Sequence, residues 1–191
     1  MAKAEISPKA GFIIRAAAAI VDGVIISLAV ASLHIFGVLI SWAYFIYLTY
    51  KWDGQTIGKK LFDIRVGDDQ GKVPELSNIV IRETIGKLLS QLVFGLGYLW
   101  VIWDKSKQGW HDKLAKTYVY HTQPLSQGKK TLAWVLVILA IILPFILAFF
   151  FFGALMLFFR NSSPNTIKDL YQSNQMIPQN QASGTSLLQQ N

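Results

Sequence analysis

The sequence contains no cysteine, which excludes disulfide bonds, thiolate metal ligands and lipid attachment through cysteine. Charge is also scarce, since Asp, Glu, Lys and Arg make up only 15% of the chain. An average soluble domain carries about 25% charged residues. Hydrophobic residues, in contrast, make up 52% of the chain. This composition indicates an integral membrane protein, whose first partner is the lipid bilayer.

Motifs for the common enzyme and cofactor classes are absent as well. The sequence has no Walker loop, no dinucleotide-binding fingerprint and no Ser-His-Asp constellation. Its histidines, at positions 34, 111 and 121, lack metal-ligand spacing. We therefore expect no enzyme, no cofactor and no metal site. The net charge of +7 is explained by basic cytoplasmic loops, so we expect no nucleic-acid partner.

Three apolar segments have the composition of membrane-spanning helices, at about residues 12–30, 35–50 and 131–159. The break between the first two falls in "ASLHIFG" at 31–37, where we predict a tight turn. The polar tail at 160–191 is rich in Gln, Asn and Ser, and is predicted to be disordered. The predicted fold class is an all-α integral membrane protein with three transmembrane helices.

Outside these segments, residues 59–75 mix β-favouring residues with charged ones. Asp69 and Gly71 form a turn signal, followed by Val73 and Pro74. We predict a small cytoplasmic β-hairpin here. The run "KTYVYH" at 116–121 is a candidate for a further strand.

Residues 76–104 begin amphipathic and become apolar, but only 88–103 lack charge. If that stretch crossed the membrane, the basic loops at 51–87 and 105–130 would lie on opposite sides, against the positive-inside rule. We therefore predict a re-entrant or interfacial helical segment that returns near Gly95 and Gly97.

This arrangement predicts a multi-pass protein of the inner (plasma) membrane. The N-terminus at 1–11 is then cytoplasmic and the C-terminal tail extracytoplasmic. We also expect a homo-oligomer, because three spans leave intramembrane polar groups unshielded.

The first span, "FIIRAAAAIVDGVIISLAV", contains Arg15 and Asp22. Seven residues are about two helical turns, so both side chains share one face, and Asp22 lies about 10 Å deeper. A charge there costs at least ~2.5–3.5 kcal/mol. Asp22 therefore needs a proton, a paired cation or an aqueous cavity. Two interpretations stay open: it ties helices together through Arg15 or Arg82, or it binds a proton or small cation during transport.

The Arg-and-Asp first helix resembles the RDD family, named for one arginine and two aspartates. So do "GQTIGKKLFDIRV" at 54–66 and "QGWHDKLAKTYV" at 108–119. The resemblance covers about residues 11–121, which we take as an RDD-like membrane domain at 12–121. Lys116 departs from the glycine that the family more often has before the threonine.

The resemblance implies that Arg15 and Asp22 are the first two signature residues. It makes Asp112 the best match for the third, with Asp104 as a nearby alternative. Asp112 and its neighbour His111 are read either as a cytoplasmic gate or as a helix cap or salt bridge. The group Gly54, Gln55, Thr56 and Gly58 is predicted to be a structural turn.

Transport of unidentified ligands is proposed for the family, and some members resemble sodium–proton exchangers. The expected function is therefore a membrane transporter of a small ion or solute, with Na⁺/H⁺ exchange at Asp22 as one form. The alternative is a non-transporting membrane scaffold or regulatory protein that binds a protein partner.

Overall fold

The computed structural model describes residues 7–30, 35–162 and Gln172. This part of the chain is mostly helical, with one small antiparallel sheet, as predicted. The helices are α1 (Phe12–Val30), α2 (Ile35–Lys51), α3 (Ile57–Leu61), α4 (Leu76–Leu92), α5 (Leu96–Ile102), α6 (Trp110–Leu114) and α7 (Gln127–Ser162). The strands are β1 (Ile64–Gly67) and β2 (Tyr118–His121).

Helices α1 and α2 coincide with the first two predicted apolar segments, and have 19 and 17 residues. At a rise of about 1.5 Å per residue, each is close to the roughly 30 Å thickness of a hydrocarbon core. The turn predicted between them includes residues 31–34, which lie outside the described part of the chain.

Helix α7 is the long C-terminal helix, and it contains Pro144 without a break in the helix. Among the described residues, its segment Gln127–Arg160 alone is long and apolar enough to cross a membrane as a single helix. The count of three spans therefore stays a prediction. The predicted disorder of the tail concerns residues that, apart from 160–162 and 172, lie outside the described part.

Helices α4 and α5 replace one straight helix, and their axes differ by 107°. Helix α4 contains a π-helical turn at Arg82–Gly86, and α5 ends in a 3₁₀ turn at Trp100–Ile102. The bend lies at 93–95, where Phe94 and Gly95 have φ values of 49° and 76°. The predicted change of direction near Gly95 and Gly97 is therefore present. That the pair re-enters the membrane and does not cross it stays a prediction.

The sheet differs from the predicted hairpin at 59–75, which was wrong. Strand β1 pairs antiparallel with the distant β2, from Ile64 opposite His121 to Gly67 opposite Tyr118. The chain turns after β1, where Gly71 donates to the carbonyl of Asp68 over 3.1 Å, but it then enters α4 instead of a returning strand. Pro74 has no amide to donate to a ladder, which disfavours a strand there.

The N-terminal segment also joins this sheet. The amide of Ala10 donates to the carbonyl of Val119 over 2.8 Å, and the amide of His121 donates to the carbonyl of Pro8 over 2.9 Å. The core then forms where α1, α3, the sheet and the start of α7 meet. Its buried side chains are Ala10, Ala17, Ala18, Phe62, Ile64, Val66, Val119, Ala133 and Val137.

Candidate functional site

The carboxylate of Asp22 is buried, with 1% of the residue exposed, and lies where α1 meets α2 and α3. It accepts hydrogen bonds from the Tyr44 hydroxyl (2.8 Å), the Thr56 hydroxyl (2.6 Å) and the Gly58 amide (2.8 Å). All three donors are neutral. The partners expected from the sequence, Arg15 and Arg82, instead donate to Asp112.

The sequence "GQTIG" explains how α3 reaches Asp22. Thr56 is the N-cap of α3, and Gly58 follows it on the side that touches α1. A Cβ atom at Gly58 would lie 2.1 Å from the carbonyl oxygen of Ala18, so only glycine permits this approach. The turn before it is tied to β1, because Val66 donates to the carbonyl of Gly54 over 2.8 Å. Gln55 also donates to the carbonyl of Ile64 over 3.0 Å.

Asp112 is fully buried and joins three helices. Its carboxylate accepts hydrogen bonds from Arg15 of α1, from Nε of Arg82 in α4 (3.0 Å) and from the Gly109 amide (2.9 Å). Arg15 also donates to the carbonyl of Lys107 over 2.6 Å. The structure thus pairs Arg15 with Asp112, the residue best matched to the third signature position.

Asp104, the alternative third position, has a local role. Its carboxylate binds Lys113 at 2.5 Å and accepts from the amides of Ser106 and Gln108, each over 3.0 Å. These contacts hold together the loop between α5 and α6. Asp104 therefore takes no part in the ion pair between Arg15 and Asp112.

Burial and nearby charges determine the protonation states of Asp112 and His111 on α6. Burial would raise the pKa of the Asp112 carboxyl, but the charges of Arg15 and Arg82 and the Gly109 amide hold it well below its ordinary value. Asp112 is therefore ionised. Burial lowers the pKa of His111 to about 3, and its Nδ1 lies 3.1 Å from the Ser90 hydroxyl. The His111 ring is consequently neutral near physiological pH.

A second set of ion pairs in α4 extends this network. Glu83, with 1% of the residue exposed, pairs with Arg82 and with Lys87. The ammonium of Lys87 also lies 3.5 Å from the centre of the Phe45 ring on α2. The network thus continues from Asp112 through Arg82 and Glu83 to Lys87.

These groups surround a cavity of about 480 Å³. Its polar lining includes the predicted residues Arg15, Asp22, Arg82 and His111, together with Lys59, Lys87, Gln91 and Tyr98. Asp104 and Asp112 do not line it. Among the described residues, no three His, Cys, Asp or Glu side chains are grouped so as to hold a metal ion.

Tyr44, Lys59, Glu83 and Lys87 were not predicted as site residues. The spacing of Glu83 and Lys87, four residues apart in an amphipathic helix, was the available signal. Tyr44 precedes Tyr47, Tyr50 and Trp52 in the sequence, and such a group of aromatic residues is typical of a membrane interface. The other three are exposed, whereas Tyr44 binds Asp22. No sequence signal marked Lys59 as buried.

The fold and site define a helical protein with buried ion pairs and with one helix that is long and apolar enough to cross a membrane. Residues 28–116 match the model of the RDD family, so this region of the chain is similar to that family. The matched region includes Asp112 but begins after Arg15 and Asp22, so their signature roles still depend on the motif resemblance.

Two relatives come from Bacillus subtilis (strain 168). The chain is 29% identical to the uncharacterized protein YckC over 130 residues, which cover 60% of this chain and 86% of YckC. It is 34% identical to the uncharacterized membrane protein YteJ over 80 residues, which cover 41% of this chain and 47% of YteJ. No solved structure matches the chain significantly. Together with the apolar helix α7, these matches support a membrane location.

Proposed function

We propose that this protein is a membrane transporter of a small ion or solute, and that the cavity beside Asp22 is its substrate site. The observation that carries the proposal is a buried carboxylate in the wall of a cavity of about 480 Å³. Carboxyl groups within apolar helices are rare, and they commonly mark ion pathways and proton relays. The cavity supplies the space that a ligand of this carboxylate requires.

One form of this transport is exchange of Na⁺ for H⁺, with Asp22 holding each cation in turn. Two hydroxyl oxygens, from Tyr44 and Thr56, lie within 2.8 Å of its carboxylate. Carboxylate and hydroxyl oxygens suit a hard cation such as Na⁺, and a hydroxyl rotates readily between donating and accepting. Arg15 and Asp112, paired near the cavity, would act at its cytoplasmic mouth.

The topology belongs to the same proposal. Helices α1, α2 and α7 are the three spans, and the bent pair α4–α5 re-enters from the cytoplasmic side. The N-terminus is then cytoplasmic and the tail after α7 extracytoplasmic, in the plasma membrane. A homo-oligomer would shield the polar groups that three spans leave facing lipid.

Proteoliposomes that contain the purified protein test the transport proposal. We expect a Na⁺ gradient to change the internal pH, reported by a pH-sensitive dye, while protein-free liposomes stay unchanged. Gradients of Li⁺, K⁺ and choline are imposed in parallel to find the cation selectivity. A protein that is folded in the liposomes but moves neither H⁺ nor any of these cations contradicts the exchange form.

The second candidate is a non-transporting scaffold or regulator that binds a protein partner. It is favoured by one observation: Asp22 and Asp112 each accept three hydrogen bonds from within the fold. A purely structural carboxylate needs no more than this. Under this alternative, Asp22→Asn lowers stability, and the wild-type protein gives no flux in the assay above.

A further inference from the structure

The cavity beside Asp22 has an imbalance of charge in its lining. Four cationic side chains line it, from Arg15, Lys59, Arg82 and Lys87, against the single carboxylate of Asp22. The cavity has both apolar and polar lining, and its volume lies in the range of about 300–1,000 Å³ that is typical of small-molecule sites. The charge therefore indicates which kind of small molecule fits.

Three of these four cations have counter-charges in the fold. Arg15 pairs with Asp112, Arg82 pairs with Asp112 and Glu83, and Lys87 pairs with Glu83. Two carboxylates that do not line the cavity, those of Asp112 and Glu83, are thus shared by these three cations.

Lys59 differs from the other three. The residue is 8% exposed, and within the described part of the chain its ammonium makes no hydrogen bond or ion pair. Its ammonium lies 5.8 Å from the centre of the Phe45 ring. The nearby carboxylate of Asp22 already accepts three hydrogen bonds. A largely buried side chain whose ammonium has no direct ion pair is unfavourable, and the nearest carboxylates, of Asp22 and Glu83, already bind other groups, so the cavity favours one added negative charge.

We infer that the cavity binds a small organic anion whose carboxylate or phosphate group pairs with Lys59. The apolar part of the anion would lie along Phe45 and along Ala18 and Ala19 of α1, which line the same cavity. The role of this anion rests on the proposed function: in transport, the anion would be the solute that is moved, and Asp22 would hold the coupling cation. Binding itself does not depend on transport.

The charge state of Lys59 adds a pH dependence. Burial lowers the pKa of Lys59 to about 7, although the nearby Glu83 opposes this shift. The other charged groups that act on Lys59 are Arg82 and Lys87 of α4, which lower its pKa, and Asp22 of α1, which raises it. Lys59 is therefore cationic at pH 6 and neutral at pH 9. Binding of an anion should weaken by about tenfold for each pH unit above 7.

The test uses the full-length protein in phosphatidylcholine nanodiscs, with calorimetry as the readout. The probes are benzoate and phenyl phosphate, and the neutral benzamide has nearly the shape of benzoate. At pH 6 we expect benzoate or phenyl phosphate to bind about tenfold or more tightly than benzamide, because a charge-assisted hydrogen bond adds affinity. Empty nanodiscs correct for partition into lipid.

Two variants of Lys59 and one control make the result specific. Lys59→Met should remove the preference for the anion, while Lys59→Arg, which stays charged at all these pH values, should retain it at pH 9. The matched control is Lys60→Met, because Lys60 is exposed on the same helix and its ammonium lies over the Trp52 ring. Thermal unfolding confirms that each variant is folded.

The same anionic chemistry could come from a lipid headgroup, and a further arm separates the sources. Soluble dihexanoyl phosphatidylglycerol is titrated in place of benzoate, with dihexanoyl phosphatidylcholine as its neutral control. Binding of the anionic lipid alone, lost in Lys59→Met, keeps the anion site and identifies a lipid as its ligand. Equal affinity for benzoate and benzamide, with no response to either lipid, overturns the inference, as does anion binding unchanged by Lys59→Met. Anion binding without flux in proteoliposomes would instead contradict only transport.

Discussion

Arg15 and Asp112 lie 97 residues apart in the sequence and form one buried ion pair. The pair joins α1 to α6, and Arg82 adds α4 to the same carboxylate. Two of the residues implied as signature positions therefore act on each other directly, and Asp22 lies apart, at the contact of α1 with α2 and α3.

Asp112→Asn should destabilise the protein strongly. The substitution leaves the buried guanidinium groups of Arg15 and Arg82 without the negative charge that they share. Removal of one partner from a buried pair costs about 3–5 kcal/mol. Thermal unfolding in detergent measures the change. Asp104→Asn, in a loop between α5 and α6, should shift the midpoint far less. Equal shifts in the two variants would mean that the buried ion pair contributes no more to stability than the contacts of Asp104.

Gly58→Ala should separate α3 from α1. The added Cβ atom would lie 2.1 Å from the backbone oxygen of Ala18, and backbone cannot move aside as a flexible side chain can. Overpacking of this kind costs about 1–3 kcal/mol. Gly128→Ala is the control, because nothing lies within 4 Å of a Cβ atom there. We expect a lower unfolding midpoint for Gly58→Ala alone. If Gly58→Ala unfolds like the wild type, the close contact does not exist.

Lys59→Met should stabilise the protein at acidic pH and have little effect at alkaline pH. The pKa of Lys59 is about 7 in the folded state and 10.5 as its ordinary value. Between these values the unfolded chain binds the proton and the folded chain does not, so this group makes stability rise with pH. Below pH 7 both states hold the proton, and the cost of burying the charge is fully present.

Unfolding midpoints of wild type and Lys59→Met between pH 6 and pH 10 test this sign. The difference should be largest at pH 6 and should shrink as the pH rises, and Lys60→Met should show no such trend. A constant difference across this range would show that Lys59 does not titrate within it.

The sequence predicts the helices of this fold better than its contacts. Long apolar runs fix α1, α2 and α7, because hydrophobic length is a local property. The partner of β1 is more than 50 residues away, and local β-propensity could not choose between β2 and the stretch near Val73. Tyr44 illustrates the same limit. A tyrosine near the end of an apolar run is typical of a membrane interface, and only the packing of α2 against α1 brings its hydroxyl to Asp22.

Lys59 was missed for a related reason. It follows the predicted turn, next to the exposed Lys60, and nothing in the local sequence distinguishes the two lysines. The surroundings of Lys59 depend on long-range packing, since helix α4 brings the charges of Arg82 and Glu83 near it. In contrast, Arg15 and Asp22 lie in an apolar run, where burial of a charge is unfavourable. Their positions therefore predicted that both residues need partners, and both have them.

The orientation of α4–α5 can be tested by cysteine labelling, because the chain has no native cysteine to remove. If the pair re-enters, Lys72→Cys and Lys105→Cys should react with a membrane-impermeant maleimide from the same, cytoplasmic side. Ser183→Cys in the tail should react from the opposite side. Labelling of Lys72→Cys and Lys105→Cys from different sides would show that the segment crosses.

In the proposed transport, the Asp22 carboxylate holds the coupling cation beside the cavity. The most direct measurement is the initial rate of Na⁺-driven pH change in proteoliposomes that contain Asp22→Asn. The control is Asp53→Asn, since Asp53 pairs with Arg65 outside the cavity and its side chain is 67% exposed. We expect Asp22→Asn to be folded but to give no flux, and Asp53→Asn to match the wild type. A folded Asp22→Asn protein with the wild-type rate would contradict this role of Asp22.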